Sequence, residues 1–114
     1  MKVAQHENRQ TMDQIADTFG ISQAELASIL HIRRQALAQW SDRGVPHSRS
    51  ADIDRLLELS ERFRRAFKPS RIPQIVRTPG KGLGGRTVLD VLKTEGPQPV
   101  SDYLYRLLSF GVTP

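Results

Sequence analysis

The sequence predicts an all-α protein, because apolar residues recur with helical spacing and strand patterns are nearly missing. No stretch sustains the alternation of apolar and polar residues that a half-buried strand requires. Apolar side chains instead return every three or four positions, and Gly, Pro or Ser separates the segments that carry them. A chain of 114 residues can form one ordinary domain or two very small ones.

The N-terminal part of the chain predicts two helices in succession. The first has an apolar face formed by Met12, Ile15, Ala16 and Phe19. Gly20 closes it, and Ser22 then offers a hydroxyl that can cap the second helix. Glu25, three residues after this serine, completes a capping box. The apolar stripe of the second helix consists of Leu26, Ile29 and Leu30.

Two further helices are predicted before residue 68. The third spans residues 33–42, turns Leu37 and Trp40 inward and stops near Gly44. The fourth spans residues 50–67 and is the longest. Its predicted buried face consists of Ile53, Leu56, Leu57, Phe63 and Phe67. Arg62, Arg64 and Arg65 fall largely off this face, and we interpret them as solvated residues, with phosphate binding as the alternative.

The remaining residues predict a smaller helical unit. Two prolines in "KPSRIP" (68–73) interrupt the pattern, and a short helix follows through Ile75 and Val76. The flexible segment "RTPGKGLGG" then leads to a helix that begins at Thr87, has Asp90 three positions later and ends at Gly96.

The last helix is predicted to follow a rigid "PQP" corner (97–99), with Ser101 as its cap. Its apolar residues are Tyr103, Leu104, Leu107, Leu108 and Phe110. We therefore expect two compact helical units, residues 1–68 and 69–114. The second is too small for a good core of its own, so we expect it to pack on the long fourth helix or on a partner.

Composition narrows the class of protein before any motif is considered. The net charge is +5 and the pI is near 10.2, which is compatible with nucleic-acid binding but does not demand it. Cysteine is absent and the three histidines lack ligand spacing, so we expect no metal and no cofactor. No apolar run approaches the ~20 residues that cross a bilayer, and the N-terminus lacks a secretion signal, so we expect a cytoplasmic protein without membrane contact.

The second and third helices carry a motif that is typical of DNA-binding proteins. "SQAELA" (22–27) begins the second helix, "WSDRG" (40–44) closes the third, and a short turn joins them. These residues resemble the helix-turn-helix of the phage Cro and repressor (Xre-type) family, over about 25 positions with the connecting lengths intact. Ala27 stands where the two helices cross and only a small side chain fits. His31 stands where the family usually has glycine, at a position that tends to need a positive φ.

This resemblance implies DNA contacts for polar side chains that otherwise have no evident role. Arg34, Gln35 and Gln39 match the positions that face base edges, where Arg suits guanine and Gln suits adenine. Phosphate contacts are expected from Gln23, Arg33 and Arg43, although Arg43 taken alone is better explained as a solvated residue. Because one such module reads only a few base pairs, we expect a homodimer on a two-fold operator in double-stranded DNA.

The glycines of "GKGLGG" (80–85) match the pattern G-x-G-x-x-G literally. A dinucleotide-binding loop of that pattern needs a preceding strand and a helix that opens directly from it. The preceding "RIPQIVRTP" has two prolines and no strand pattern, and no Gly-Lys-Ser/Thr follows as in a Walker loop. We therefore interpret the glycines as allowing a sharp turn ahead of Thr87.

A second resemblance covers the C-terminal unit. "RTPGKGLGGRTVLDVLKTEG" (77–96) is similar to the signature of the MbcA/ParS/Xre antitoxin toxin-binding domain, which follows an Xre-type helix-turn-helix. The matching residues are Leu83, Gly84, Gly85, Arg86, Thr87 and Leu89, while Val88 departs from the usual proline. The resemblance implies an antitoxin of a type II toxin–antitoxin pair whose partner is a RES-domain toxin that degrades NAD. The antitoxin would cover the toxin's active site and repress the shared operon, so it would not itself be an enzyme.

Candidate toxin contacts lie near the end of the chain. Leu107, Phe110 and Val112 give "LLSFGVTP" an apolar character, with core packing as the alternative for Leu107. Two other functions remain open at this point. One is a free-standing transcriptional regulator whose second half dimerises or binds a small effector. The other, a nucleotide-using enzyme, rests on the glycine pattern alone.

Overall fold

The computed structural model describes residues 2–109, and side chains from residue 9 onward. All regular elements in this range are helical, and no strand occurs in it, which confirms the all-α prediction. Three single 3-10 turns lie in the connections, at His47–Arg49, Pro69–Arg71 and Lys81–Leu83. The α-helices are α1 (Lys2–Phe19), α2 (Gln23–Leu30), α3 (Arg34–Arg43), α4 (Ser50–Ala66), α5 (Ile72–Val76), α6 (Val88–Glu95) and α7 (Pro97–Ser109).

Two capping boxes begin helices as the sequence predicts. At α2 the Glu25 backbone N–H donates to Ser22 Oγ at 3.1 Å, and the Ser22 N–H donates to the Glu25 carboxylate at 3.1 Å. At α6, Thr87 and Asp90 exchange the equivalent bonds. Each box satisfies backbone donors that the first turn of a helix cannot pair internally.

The core is a single cluster that α1 organises. The apolar face predicted for α1 is buried, and this helix packs against α3, α4 and α5. Phe19 meets Phe63 of α4 edge to face, with the ring centroids 5.5 Å apart, an arrangement that aromatic pairs favour. The helix itself begins further towards the N-terminus than the apolar spacing had suggested.

The C-terminal helices join this same cluster. α5 contacts α1, α6 contacts α2, and α7 contacts α4. The expected packing of the second unit on the long fourth helix is therefore present, and the unit also covers α1 and α2. Pro73 lies so close to Gly20 that a Cβ on the glycine would stand 2.7 Å from the proline ring.

The buried face of α4 differs from the prediction. Leu59 is buried, whereas Leu57 and Phe67 are only half-buried. The reason is that α4 is covered from two sides, by α1 and by α7, so its buried arc is wider and is displaced towards Leu59.

The start of α7 was also predicted wrongly. The helix begins at Pro97, and "PQP" forms its first turn, where missing N–H groups cost no helical hydrogen bond. Ser101 is therefore not a cap. Its hydroxyl accepts a hydrogen bond of 2.7 Å from Arg62, so Arg62 is half-buried between α4 and α7 and is not simply solvated.

Candidate nucleic-acid interface

A three-residue connection joins α2 to α3. His31 ends α2 with φ 58° and ψ 42°, in the left-handed region, as the sequence analysis expected for this position. The Ile32 N–H then donates to the Ala27 carbonyl at 3.0 Å, which closes the end of α2. Arg33 is extended and precedes α3 without a side-chain cap. The chain thus reverses quickly, and α2 and α3 contact each other.

The inner face of α3 is anchored by apolar residues. Leu37 and Trp40 are buried, as predicted, and α3 packs on α1. Ala27 of α2 is also buried, at 3% exposure. This packing leaves the opposite face of α3 open.

Arg49 holds the two helices together from the connection that follows α3. Its guanidinium donates to the Leu30 carbonyl at the end of α2 and lies 5.6 Å from the centroid of the Trp40 ring. Its Nε lies 3.4 Å from a carboxylate oxygen of Asp52 in α4. Sequence reasoning missed this residue, because nothing local to Arg49 indicates which carbonyl or ring it meets.

The six candidate DNA-contacting residues lie on α2, on α3 and in the connection between them. Gln23 is the first residue of α2 and is half-buried. The other five are exposed: Arg33, Arg34, Gln35, Gln39 and Arg43. Among the residues that the structure describes, none of these six side chains has a hydrogen bond or ion pair. The structure thus leaves their donors available.

Other arginines of the chain are already engaged within the fold. Arg49 binds a backbone carbonyl, Arg62 binds a serine, and Arg77 binds both a carbonyl and a carboxylate. Arg86 donates to the Leu83 carbonyl at 3.2 Å and pairs with Glu95. The unpaired arginines at the two ends of α3 therefore differ from those that have structural roles.

On the open face of α3, Gln35 and Gln39 lie on one side and Arg34 lies at the N-terminal edge. Gln35 and Gln39 are four residues apart and so lie one turn above each other on the same side. Arg34 is rotated by roughly 100° from Gln35 about the helix axis, at the N-terminal edge of the face. Asp42 lies on the same side as the glutamines, and its exposed carboxylate pairs with Arg9 of α1. This pair offsets the one acidic charge of α3.

The structure corrects one of the three predicted toxin contacts. Leu107 is 8% exposed and belongs to the core cluster, so its expected role as a surface contact is corrected to core packing. It faces inward because α7 turns one side towards α4 and α6. Phe110 and Val112 lie outside the described residues. The large apolar side chains of α7 that do face solvent are Tyr105 and Leu108, at 64% and 53% exposure.

The Leu-Gly-Gly-Arg-Thr segment (residues 83–87) has a local structural role at each step. Leu83 is buried, and both glycines have positive φ values, 68° and 82°. Arg86 pairs with Glu95 across α6, and Thr87 caps that helix. Gly82 lies within the 3-10 turn Lys81–Leu83, and residues 84–87 separate that turn from α6, so the helix does not open directly from the first two glycines as it would in a dinucleotide site.

Arg77 connects the second unit to the start of α2. Its guanidinium donates to both carboxylate oxygens of Glu25, at 3.2 and 3.1 Å, and to the Gly20 carbonyl at 3.1 Å. The hydrogen bond from Arg77, together with the Ser22 N–H, lowers the pKa of the Glu25 carboxyl below its usual range. The same carboxylate therefore completes a helix cap and binds a distant part of the chain.

In the described part of the chain, no group of three or more His, Asp or Glu side chains is arranged to hold a metal ion. Among the helices in residues 2–109, none combines the length and apolar composition needed to cross a membrane. Comparison of the chain with models of protein families, with curated proteins and with solved structures gave no significant match.

Proposed function

We propose that α2 and α3 form a helix-turn-helix that binds operator DNA, with α3 as the helix that enters the major groove. The observation that carries this proposal is the open face of α3, whose Arg and Gln side chains have no partners in the described structure while its other face is anchored by Leu37 and Trp40. An ordered helix with free, long polar side chains at its leading end is suited to contacting base edges.

The proposed contacts divide by chemistry. Arg34 would donate two hydrogen bonds to guanine O6 and N7, and Gln35 and Gln39 would each pair with adenine N6 and N7. Gln23, Arg33 and Arg43 would contact phosphates and set the position of the protein on the duplex. Arg9 belongs to this proposal as a positioning residue, because it neutralises Asp42 on the face that approaches the polyanion.

We propose further that two copies bind a two-fold operator. One α3 helix spans only a few base pairs, and specificity against a whole genome requires more. A pair of half-sites separated by about one helical turn of DNA would supply it.

We propose that the chain acts as the antitoxin of a RES-domain toxin and represses its own operon. Support for this comes from the resemblance of residues 77–96 to the antitoxin signature and from the order of the two units. The solvent-facing Tyr105 and Leu108 of α7 replace Leu107 as candidate toxin contacts, together with the predicted Phe110 and Val112. Such a protein acts in the cytoplasm by steric occlusion and requires no catalytic residue.

The DNA proposal is tested by selecting bound duplexes from a randomised pool and measuring affinity for the selected site. We expect Arg34→Ala to weaken binding to that site by about 1–3 kcal/mol and to relax the preference at one base pair. Arg55→Ala is the matched control, since Arg55 is also exposed and unpaired in the described structure but lies on α4 and is not a candidate for phosphate binding. Equal affinity and equal preference for the wild type and Arg34→Ala would refute the assignment.

The dependence of DNA affinity on salt concentration provides a second test of the DNA-binding proposal. Affinity should fall steeply as salt rises, because phosphate contacts release counterions. Arg33→Ala should reduce the slope of log K against log salt by about 1, whereas Gln35→Ala should leave the slope unchanged.

The antitoxin proposal is tested by co-expression with a RES-domain protein encoded beside this gene. We expect the two chains to co-purify and the cells to be protected from NAD loss. A chain truncated after Ser109 should fold, as judged by its helical circular dichroism, but protect less. A Ser109→Ala chain of full length is the control. Full protection by the folded truncated chain would exclude the terminal residues as the toxin contact.

The alternative is a free-standing transcriptional regulator without a toxin partner. It shares the DNA-binding proposal and differs in the role of residues 69–114, which would then dimerise or bind an effector. Normal repression together with no complex formation with the neighbouring RES protein would favour it.

A further inference from the structure

We propose that a cavity in the C-terminal unit binds a small organic carboxylate with one compact apolar group, such as an aromatic ring. The cavity lies between α5, the glycine loop (residues 78–83) and α7, and its volume is about 160 Å³. This site is separate from the face of α3 and from the exposed residues of α7, so it does not depend on the DNA or antitoxin proposals.

The floor of the cavity is apolar. Ile75 of α5, Leu83 of the glycine loop and Val88 of α6 line it, together with Pro79 and the ring of Tyr103. Leu83, Val88 and Tyr103 are buried, at 6%, 2% and 7% exposure. Because Leu83, Val88 and Tyr103 come from three segments and are packed in the core, with Ile75 packed against it, the inner wall of the cavity is preformed, as in most small-molecule sites.

The glycine loop explains how Tyr103 reaches this cavity. A Cβ on Gly80 would stand 2.8 Å from the Tyr103 hydroxyl oxygen, and a Cβ on Gly82 would stand 2.7 Å from its ring. Both distances are shorter than real Cβ contacts, so only glycine lets the loop lie flat against the ring. The glycines that match the dinucleotide pattern therefore allow the loop to pack directly against the Tyr103 side chain.

The polar groups of the cavity suit an anion. Arg71 and Gln74 stand at the exposed rim, and neither side chain has a partner among the described residues. The Tyr103 hydroxyl also has no hydrogen-bond partner within that part of the chain, and its oxygen is accessible to solvent although the residue as a whole is 7% exposed. No Asp or Glu occurs among the described lining residues. A guanidinium, an amide and a phenol hydroxyl can all donate to a carboxylate.

The volume of the cavity limits the size of the apolar group that a ligand can carry. A protein cavity of about 150 Å³ lined by apolar side chains holds one benzene molecule. The present cavity therefore admits one six-membered ring or a short branched chain, but not a nucleotide. Its open, polar rim places the carboxylate of such a ligand beside Arg71.

The proposal is tested by titrating the full chain with benzoate and following backbone amide shifts by NMR. We expect saturable shifts centred on Gly80, Leu83 and Val88, with a Kd on the order of 1 mM, which is typical of a ligand of this size. Benzamide, which has the same shape without the charge, should bind about tenfold more weakly. Benzylammonium should not bind, because its charge is opposite.

Single substitutions distinguish benzoate binding in the cavity from nonspecific attraction of the anion to exposed arginines. Arg71→Gln should weaken benzoate binding about tenfold, and the exposed Arg65→Gln should leave it unchanged. Tyr103→Phe, which removes only the hydroxyl, should weaken binding and keep the fold. Equal binding of benzoate and benzamide, shifts centred outside the cavity, or equal weakening by Arg71→Gln and Arg65→Gln would each overturn the proposal. All measurements use the chain without DNA, so a failure here leaves the DNA-binding test unaffected.

Discussion

His31 determines the local geometry between α2 and α3, and it does so in a backbone conformation that most residues avoid. Among the described residues, it is the only non-glycine residue with a positive φ. A side chain in the left-handed region brings Cβ close to the following carbonyl oxygen, which costs roughly 1–2 kcal/mol relative to the right-handed region. The turn is nevertheless complete, because the N–H groups of His31 and Ile32 reach carbonyls in the last turn of α2.

Replacing His31 by glycine should therefore stabilise the protein. We expect His31→Gly to raise the free energy of unfolding by about 0.5–1 kcal/mol, because relief of the strain exceeds the extra entropy of glycine in the unfolded chain. Ser28→Gly, three residues earlier in the right-handed part of α2, should instead lower it by about 0.5–1 kcal/mol. Urea denaturation measures both. A destabilised His31→Gly would show that the imidazole makes a compensating contact.

At the scale of elements, Arg49 connects three helices through one side chain. It meets the last turn of α2, the Trp40 ring of α3 and Asp52 of α4. The orientation of α3 relative to α2 thus depends on a residue that belongs to neither helix. The proposed DNA contacts need that orientation, so Arg49 is a positioning residue for them.

Arg49→Gln should loosen this arrangement. We expect a loss of about 1–2 kcal/mol in the free energy of unfolding, because a hydrogen bond to a charged donor and a cation–π contact both disappear. Trp40, the single tryptophan of the chain, should then show a red-shifted emission as it becomes more solvated. Arg55→Gln on the exposed side of α4 is the control and should change stability by less than about 0.5 kcal/mol. Identical emission of the wild type and Arg49→Gln would contradict the positioning role.

At the scale of the whole molecule, the ion pair of Arg77 with Glu25 links the two parts of the sequence. The residues are 52 positions apart, and the side chain of Glu25 is partly shielded, at 28% exposure. Its lowered pKa means that the folded protein favours the charged carboxylate. Stability from this group is therefore fully present above the pKa of an unfolded glutamate and is lost as pH falls through the lowered pKa of the folded state.

The pH dependence of stability should reveal this link. Near neutral pH, Glu25→Gln should be less stable than the wild type, since the neutral amide cannot replace the ion pair. The difference should shrink as the pH falls below the pKa of an unfolded glutamate, because the unfolded chain takes up a proton first, and should vanish once the folded carboxylate is also protonated. Glu61→Gln, at an exposed position of α4 and without an ion pair in the described structure, is the control. A pH-independent difference for Glu25→Gln would show that the ion pair adds no stability.

The local elements of this fold were readable from the sequence because their causes lie within four residues. Capping at Ser22 and Thr87, termination at Gly20 and Gly96, and the inward side of α3 depend on neighbours along the chain. The exposure of Arg34, Gln35 and Gln39 follows from the same periodicity, whereas their DNA contacts stay a prediction.

By itself, then, the amino-acid sequence determined the helices, most of their ends and the side of α3 that faces solvent. Only the tertiary structure decided that Leu107 is buried, that Arg49 and Arg77 bridge helices, and that Tyr103 lies under a glycine loop beside a cavity. The bridging contacts join residues 19 and 52 positions apart, and they depend on how the helices are placed relative to one another. That placement is set by packing of the shared core, which no short stretch of sequence encodes.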